Sequence, residues 1–550
     1  MQHRVFMSLF ALIAAFGVNA DQRPNILLLV AEDLSPRIGA YGDPVAQTPH
    51  LDDLARVGTR FTQAFTTAGV CAPSRASLIT GQYQISFGAQ HMRTSTAPLG
   101  SYLARPPKGL RAFPELLRAS GYFTFTDRKL DYQFSGILAG SGPVSIWNLD
   151  NAPDTAWRQR RPDQPFFGMI NFFETHESGV MHPTAEPHSE VHARTQQMRA
   201  ASGVVAPSIT APATVTLPPY FPDLPEIRAD LARHYDNIAM MDARVGRILA
   251  ALVEDDLWDN TIIIWTSDHG DGLPRAKREL YDSGTHVPML IKPTTTMSWP
   301  FSAAAERLVS FVDLAPSILT WAGVTLPPYL HGQRLDGQER KYVFAARDRI
   351  DEVYDRQRSI RGKRYKYIRS YAPDVPGGHP LAYRDNLDMM RALRAAYTRG
   401  ELKDAEVLWF EPVAQHRLYD LDDDPHELHD VAQQPHMQPI LAGLQARLDG
   451  FLQDVGDWGE RDEAELRREL LTRDGAIPQT PPPQAHTLVG GKLAISHPHD
   501  ASIVCRASKG AAWNLYDAPY PSDTLPDLQC LAVRYGWQPS PIIQIQAQIK

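Results

Sequence analysis

The stretch from Thr67 to Gly81, TAGVCAPSRASLITG, puts a cysteine, a proline and an arginine together at what reads as a helix start. Pro73 fits the first helical position, where its missing N–H has no intrahelical partner to lose. Gly81 fits the position just past the helix end. The free N–H groups and dipole of such a helix favour an anion at Cys71, and Arg75, about a turn on, adds a planar cation. A lone cysteine here also reads as a small buried core residue. Other reactive residue types stand at the ends of apolar runs. Glu32 and Asp33 follow Asn25–Val30, and Lys129 follows Phe123–Phe125. His176 follows Phe166–Phe173, while Asp268 and His269 follow Thr261–Thr266. Adjacent acids at such an end are either solvated loop residues or metal ligands. Lone lysines and histidines are either solvated surface groups or donors to an anion.

These residues need elements to position them. Asn25–Val30 is a continuous apolar run, the pattern of a strand buried on both faces of a parallel sheet. The other three runs repeat it, and in open α/β sheets ligands bind beyond the carboxyl ends of the strands. Pro49–Val57 and Ala112–Ser120 are amphipathic, the second closed by Gly121. In Ile227–Val253, residues Ile227, Leu231, Tyr235, Ile238, Met241, Val245, Ile248 and Leu252 recur at helical spacing. Its acids Asp236 and Asp242 read as structural or solvated. Strands alternating with helices predict a doubly wound α/β domain over 21–339, ending in a helix at Phe311–Leu319. Gly179–Pro225, rich in proline, histidine and small residues, reads as a surface insertion. Residues 340–456 read as a smaller α+β subdomain. Its strands are Lys341–Ala346, Ile360–Ser370 (with a basic turn at Arg361–Arg364) and Leu418–Leu421, and its last helix is Pro439–Leu452. A charged, then proline-rich stretch at 457–486 reads as a linker. Residues 487–550 read as a small β module with strands near Lys492–Ile495, Ala501–Arg506, Leu531–Tyr535 and Ile542–Ile545.

The 550 residues are 43% hydrophobic and 21% charged, ordinary for a globular protein. Residues 1–20 differ. Arg4, the apolar run Val5–Val18 and the small-residue end Val18-Asn19-Ala20 read as a secretory signal peptide, too short for a bilayer span. No later segment is long and apolar enough to span. The expectation is an exported protein, periplasmic or secreted. A net charge of −8 is a poor match for nucleic acid or an anionic membrane, so an anionic substrate must be drawn by a local basic site. The three cysteines are Cys71, Cys505 and Cys530. In an exported chain the last two can pair and leave Cys71 single.

Cys71-Ala72-Pro73-Ser74-Arg75, continuing to Leu78, Thr80 and Gly81, resembles the signature of the formylglycine-dependent sulfatases. The resemblance spans Pro24 to Asp457 and implies an alkaline-phosphatase-like α/β fold with a doubly wound mixed sheet. It implies that a formylglycine-generating maturation enzyme oxidises Cys71 to an aldehyde. The hydrated aldehyde carries two hydroxyls on one carbon: one attacks sulfur, the other lets the sulfate hemiester collapse and regenerate the aldehyde. The resemblance further implies one Ca²⁺, with Mg²⁺ or another divalent ion as alternatives, held by Glu32, Asp33, Asp268 and His269. Glu32 stands where the family more often has Asp, and His269 is a softer ligand than calcium prefers. Arg75, Lys129, His176 and Lys277 supply cations and donors for charge that redistributes as the S–O bond breaks. Lys277 lies four residues before Tyr281 in the Y-x-x-G-x-x-x-P pattern Tyr281–Pro288. The family often has histidine two residues after the lysine at 129. This chain has Asp131, and no role is carried there.

Between Arg347 and Arg369 lie nine basic residues and four acids. They read either as a solvated hairpin or as contacts to flanking carboxylates or sulfates of a glycan, with Arg347, Asp348 and Arg349 the candidates because they follow a strand directly. Within the family, Leu217–Pro222, Arg228–Leu231, Met241-Asp242 and Leu280-Tyr281 are similar to the heparan N-sulfatase branch (N-sulfoglucosamine sulfohydrolase). The reading is a metal-dependent sulfatase acting on a sulfated carbohydrate, with O-sulfate against N-sulfate left open. The alternatives are a phosphoester or phosphonate monoester hydrolase of the same fold, and a glycan-binding protein with unmodified Cys71.

Overall fold

Strand β1 (Asn25–Ala31) runs through the centre of the molecule, and all seven of its residues are buried. Ile26, Leu28 and Val30 enter one core while Leu27, Leu29 and Ala31 enter another, because successive side chains of a strand point to opposite faces. A strand covered on both faces needs no polar alternation. The computed structural model describes residues 23–201, 209–488, 492–521 and 527–545. The apolar leader at 1–20 lies outside the described residues.

The elements that follow are α1 (Pro49–Val57), β2 (Thr59–Phe65), α2 (Cys71–Thr80), α3 (Phe113–Ala119), β3 (Phe123–Thr126) and β4 (Phe166–Phe172). Then come α4 (Glu190–Ala201), α5 (Pro225–Glu254), β5 (Thr261–Ser267), the one-turn α6 (Asp282–Thr285), β6 (His286–Lys292), β7 (Ala304–Ser310) and α7 (Leu314–Trp321). The seven strands form one sheet in the order β3-β4-β1-β5-β6-β2-β7. β3, β4, β1 and β5 are parallel, so their carboxyl ends share one edge. β6 runs antiparallel to both of its neighbours. This is the mixed, doubly wound α/β fold. The strands whose pattern escaped the sequence reading are β2, β6 and β7. β2 and β7 are only partly buried and carry polar residues, and β6 contains Pro288 near its start.

Helix α2 starts two residues earlier than its proline suggested. Val70 is extended (φ −152°) and Cys71 is the first helical residue, which puts Pro73 third. The position is tolerated because N–H groups throughout the first turn lack intrahelical acceptors. Gly81 closes the helix at φ 68°, its N–H bonded to Ser77 O at 2.9 Å. All ten residues of α2 are buried. Helix α5 covers the opposite face, and the eight apolar residues singled out by spacing are all buried there. Each such aliphatic side chain contributes roughly 1.5–3 kcal/mol. Asp242 accepts the N–H groups of His50 and Leu51 at the start of α1, and Asp236 those of Ile209 and Thr210, so both acids tie backbone together.

Beyond β7, strands β8 (Val343–Ile350), β9 (Val353–Arg361), β10 (Tyr365–Ser370) and β11 (His416–Asp420) form an antiparallel sheet in the order β11-β10-β9-β8. Helix α8 (Asp388–Thr398) interrupts it in sequence and is not part of that layer. Leu387, Met389, Met390 and Leu393 pack into the α5 side of the large sheet, so this part of 340–456 belongs to the main core. Helix α9 (Gln438–Val455) covers the small sheet through Leu441, Leu444 and Leu448. The 457–486 stretch corrects the linker reading. It contains α10 (Glu463–Leu470), with Leu466 and Leu470 packed on Tyr102 and with Glu463 buried. Its charges alternate with these inward positions at helical spacing, and composition alone hides that.

The C-terminal strands are β12 (Gln484–Thr487), β13 (Leu493–Ser496), β14 (Ser502–Arg506), β15 (Asn514–Leu515), β16 (Leu528–Val533) and β17 (Ile543–Ile545). Cys505 and Cys530 face each other across β14 and β16 and are disulfide-bonded. The module is seated on the main domain by the buried Glu115, which accepts from Ser145, Ser502 and Tyr535. Among the described residues no helix is long and apolar enough to cross a membrane.

Candidate active site

The parallel strands deliver their C-terminal residues to one edge, opposite the N-terminus of α2. Glu32 and Asp33 arrive from β1, Lys129 from β3, His176 from β4, and Asp268 and His269 from β5. The turns are locked to one another: Asp33 N–H donates to Asp268 Oδ1 at 3.0 Å, Asp268 N–H to Ala31 O at 3.0 Å, and Leu34 N–H to His269 O at 3.0 Å. Asp33 sits at φ 53°, in the left-handed region that aspartate tolerates better than most residues, and this bends the chain directly after the acid pair.

Cys71 Sγ lies 3.2 Å from His269 Nε2 and 3.8 Å from Asp33 Oδ1, and is fully buried. His269 Nδ1 is 2.9 Å from Gly270 O. A carbonyl can only accept, so Nδ1 carries the proton and Nε2 is the atom turned toward Asp33 (3.0 Å), Asp268 (3.6 Å) and Cys71. Burial opposes charge on His269, but Asp268, Cys71 and Asp33 outweigh it and push its pKa up to about 10. Asp268 is likewise buried, yet His269, Arg75 and Lys129 pull it down to about 2. In Asp33 the pull of Lys277 and His269 also overcomes burial and holds the carboxyl well below its usual range. In Glu32 burial prevails over Lys129 and Arg75 and the pKa is raised.

Four cationic or donor side chains face these acids. Lys129 Nζ donates to Glu32 Oε2 at 2.5 Å, and Lys277 Nζ donates to Asp33 Oδ2. Arg75 reaches Asp268 Oδ2 through Nε (2.9 Å) and Asn171 Oδ1 through Nη1 (2.5 Å). Ser178 N–H donates to His176 Nδ1 at 3.2 Å, which leaves the proton on Nε2. Burial, reinforced by Lys277, lowers the His176 pKa, so the ring is neutral.

The donor set suits a divalent cation. The ligand atoms of Asp33, Cys71, Asp268 and His269 lie within 4.8 Å of one another, as do those of Glu32, Asp33, Cys71 and His176. Glu32 Oε1 is buried without a hydrogen-bond partner, an orphan that a cation would satisfy. Three carboxylates and one imidazole are mostly hard oxygen donors.

The structure therefore brings Glu32, Asp33, Cys71, Arg75, Lys129, His176, Asp268, His269 and Lys277 to one place. It does not bring Arg347, Asp348 and Arg349 there, which corrects their reading as glycan contacts. All three are at most 3% exposed. Arg347 is paired with Glu279 (2.7 Å) and Asp355 (3.1 Å), Asp348 with Arg358 (3.0 Å), and Arg349 with Glu463 (2.6 Å). Two of these acids come from distant segments, so local charge counting missed the pairing. A cavity of about 320 Å³ opens beside Cys71, Lys129, His176 and Lys277. Its further polar lining includes Arg93, Glu177, Arg278, Asp351 and Tyr383. Glu177 and Arg278 are sequence neighbours of His176 and Lys277 and were within reach of the motif reading. Arg93 and Tyr383 carry no local signal.

A sequence model of the family described as Sulfatase matches residues 24–141 and 147–324. An "Ulvan-active sulfatase" of Formosa agariphila is 36% identical over 565 residues, covering 96% of this chain and 92% of that protein. The human "N-sulphoglucosamine sulphohydrolase" is 27% identical over 481 residues, covering 80% of this chain and 91% of that protein. Among solved structures, one in complex with its substrate D-glucosamine-2-N,6-O-disulfate covers 80% of this chain and 100% of its own, with TM-score 0.54 at 16% identity. Another, from the Bacteroides thetaiotaomicron locus for metabolism of multiple glycosaminoglycans, covers 80% and 99% with TM-score 0.57 at 16% identity. At these identities the structural likeness is one of fold.

Proposed function

The chain belongs to the sulfatase family, and from that premise we propose that it hydrolyses the sulfate ester or sulfamate of a sulfated carbohydrate through residue 71, matured to formylglycine. The observation that carries this reading is that Cys71, at the first position of α2, clusters with the ligand atoms of Glu32, Asp33, Asp268, His269 and His176 beside a cavity that Lys129, His176 and Lys277 line. The names of the relatives, which speak of ulvan and of N-sulphoglucosamine, favour a sulfated sugar over a small aryl sulfate.

As a hydrated aldehyde, residue 71 would supply two geminal hydroxyls, one for attack on sulfur and one for release of sulfate. Asp33 Oδ1, 3.8 Å from the Sγ position, is the carboxylate placed to take up a proton there. Arg75, fixed by Asp268 and Asn171, keeps a permanent positive charge beside the N-terminus of α2. His176 presents Nε2–H to the cavity and can donate to a sulfate or leaving-group oxygen. A divalent cation, Ca²⁺ by its preference for hard oxygen, would be held by Glu32, Asp33, Asp268 and His269 and would supply charge for the sulfate oxygens. Lys129 and Lys277, now paired with Glu32 and Asp33, are the groups left to face the sulfate once those carboxylates serve as ligands. The apolar leader and the Cys505–Cys530 bond both favour an oxidising, exported location, periplasmic or secreted.

The test compares kcat/KM for a sulfate monoester and the matched phosphate monoester of one sugar, using mature protein whose residue 71 has been characterised by peptide mass spectrometry. The expected outcome is formylglycine at 71 and a clear preference for sulfate. Preference for the phosphate ester, or an unmodified cysteine in active protein, overturns the reading.

A further inference from the structure

Arg93 lines the cavity that contains Cys71, and its side chain is 23% exposed. Its guanidinium is clamped by Asp131, with Nε donating to Oδ1 at 2.8 Å and Nη2 to Oδ2 at 2.8 Å. Asp131 is 2% exposed and sits at φ 49°. The clamp uses one edge of the fork, and among the described residues Nη1 has no hydrogen-bond partner. The backbone behind Arg93 is also held. Arg349 donates to Arg93 O at 3.1 Å and to Met92 O at 2.9 Å, and is itself locked by both carboxylate oxygens of Glu463. Met92 N–H donates to Arg349 O and Asp351 N–H to Met92 O, each at 2.9 Å, which bolts this loop to the end of β8.

Such a residue is neither a free surface arginine nor a fully consumed structural one. Its position is over-determined from two sides, and its unused N–H groups face the space next to the nucleophile. The other cations of the cavity have other tasks: Arg278 is held by both oxygens of Glu177, and Lys129 and Lys277, paired here with Glu32 and Asp33, are the groups left for the scissile sulfate. Glu177, Glu190 and Asp351 also line the cavity and offset much of the charge of Arg93, Lys129, Lys277 and Arg278. Any second negative group must be held by a specific fork. The apolar lining by Phe173 and Leu138, the latter 51% exposed, supplies a surface for the apolar face of a sugar ring.

We infer that Arg93, oriented by Asp131, is a specificity-determining residue that binds a second anionic group, carboxylate or sulfate, on the same or the adjacent sugar as the scissile sulfate. This rests on the sulfatase reading and narrows its substrate to doubly charged sugars. A charge-assisted fork of this kind is worth at least about tenfold in kcat/KM.

The test uses two sugars carrying the same scissile sulfate, one with a neighbouring carboxylate and one with a neutral hydroxymethyl in its place. The mature enzyme should prefer the first, and Arg93→Ala should lower the ratio of the two kcat/KM values at least about tenfold. An Arg93→Met/Asp131→Asn double variant removes both charges of the pair and should lower the ratio in the same way, which guards against misfolding of the single variant. An unchanged ratio, whatever happens to the absolute rates, overturns the assignment. Calorimetric binding of the two desulfated sugars to the Cys71→Ala protein reads the same preference without turnover. Failure to hydrolyse either ester therefore counts against the sulfatase reading, and equal binding of the two sugars counts against Arg93.

Discussion

At the scale of single residues, the centre is a charge-compensated cluster built around one sulfur atom. Glu32, Asp33 and Asp268 are fully buried, and each has a cationic partner that holds it there. Breaking one such pair leaves an uncompensated buried charge, which makes lysine and acid variants ambiguous probes of chemistry. Cys71 is the cleaner probe, because its side chain is small and bears no ion pair. Cys71→Ala should abolish multiple turnover. Cys71→Ser should fall at least about a thousandfold, since one hydroxyl cannot regenerate an aldehyde. Both should keep the melting temperature within about 4 °C of the parent. Sustained turnover by Cys71→Ala would remove residue 71 from the mechanism.

At the scale of elements, α10 anchors the loop that carries Arg93. Its Glu463 accepts from Arg349, Tyr102 and Tyr354, and Arg349 in turn pins the Arg93 loop. Burial raises the Glu463 pKa, but the Arg349 fork, His91 and Tyr354 prevail and take it from 4.5 down to about 2. A depressed carboxyl contributes stability that is fully present above its unfolded value and is lost as pH falls through the folded value. His91, pushed down to about 4 by burial, loses stability in the same direction as acid protonates the unfolded chain first. The melting temperature should therefore drop as pH falls from about 6.5 to about 2, His91 acting over the upper part of that range and Glu463 over the part below 4.5. Glu463→Gln should start lower at neutral pH and follow a flatter acid limb. Parallel melting curves for the two proteins would mean that Glu463 is not the anchor.

At the scale of the whole molecule, the candidate ligands come from the ends of two strands, β1 and β5, and the neutralising lysines from two other segments. A cation bound there stabilises the native state by mass action, because the unfolded chain offers no such convergence. Chelation should lower activity and melting temperature together, and added Ca²⁺ should restore both. Metal analysis of active protein that finds no bound divalent ion would refute the site. The C-terminal module makes no contribution to this cluster. It is fastened by Glu115 of α3, on the α2 face of the sheet, and stapled by Cys505–Cys530, and it supplies none of the candidate ligands, so its removal and the loss of metal should be separable effects.

Much of this was legible from sequence, for a physical reason. Strands buried on both faces are largely apolar, so β1, β4 and β5 announce themselves, the edge strand β3 shows through Phe123 and Phe125, and parallel strands must end on one edge. The residues just after them, Glu32-Asp33, Lys129, His176 and Asp268-His269, therefore had to be neighbours. The eight-residue stripe of α5 was equally plain, because a helix face against a sheet obeys a 3.6-residue period. What only the tertiary structure decided is which charges neutralise which. Arg347, Asp348 and Arg349 look free in a basic run, yet their partners Glu279 and Glu463 arrive from 68 and 114 residues away. The 457–486 stretch has the composition of a linker, but Glu463, Leu466 and Leu470 turn inward on one helical face. Arg93 has no motif, and only the closing of its loop onto β8 brings it beside Cys71. Periodicity reports how a segment meets a core. Ion pairing depends on side chains that meet across the fold, and no local pattern encodes that distance.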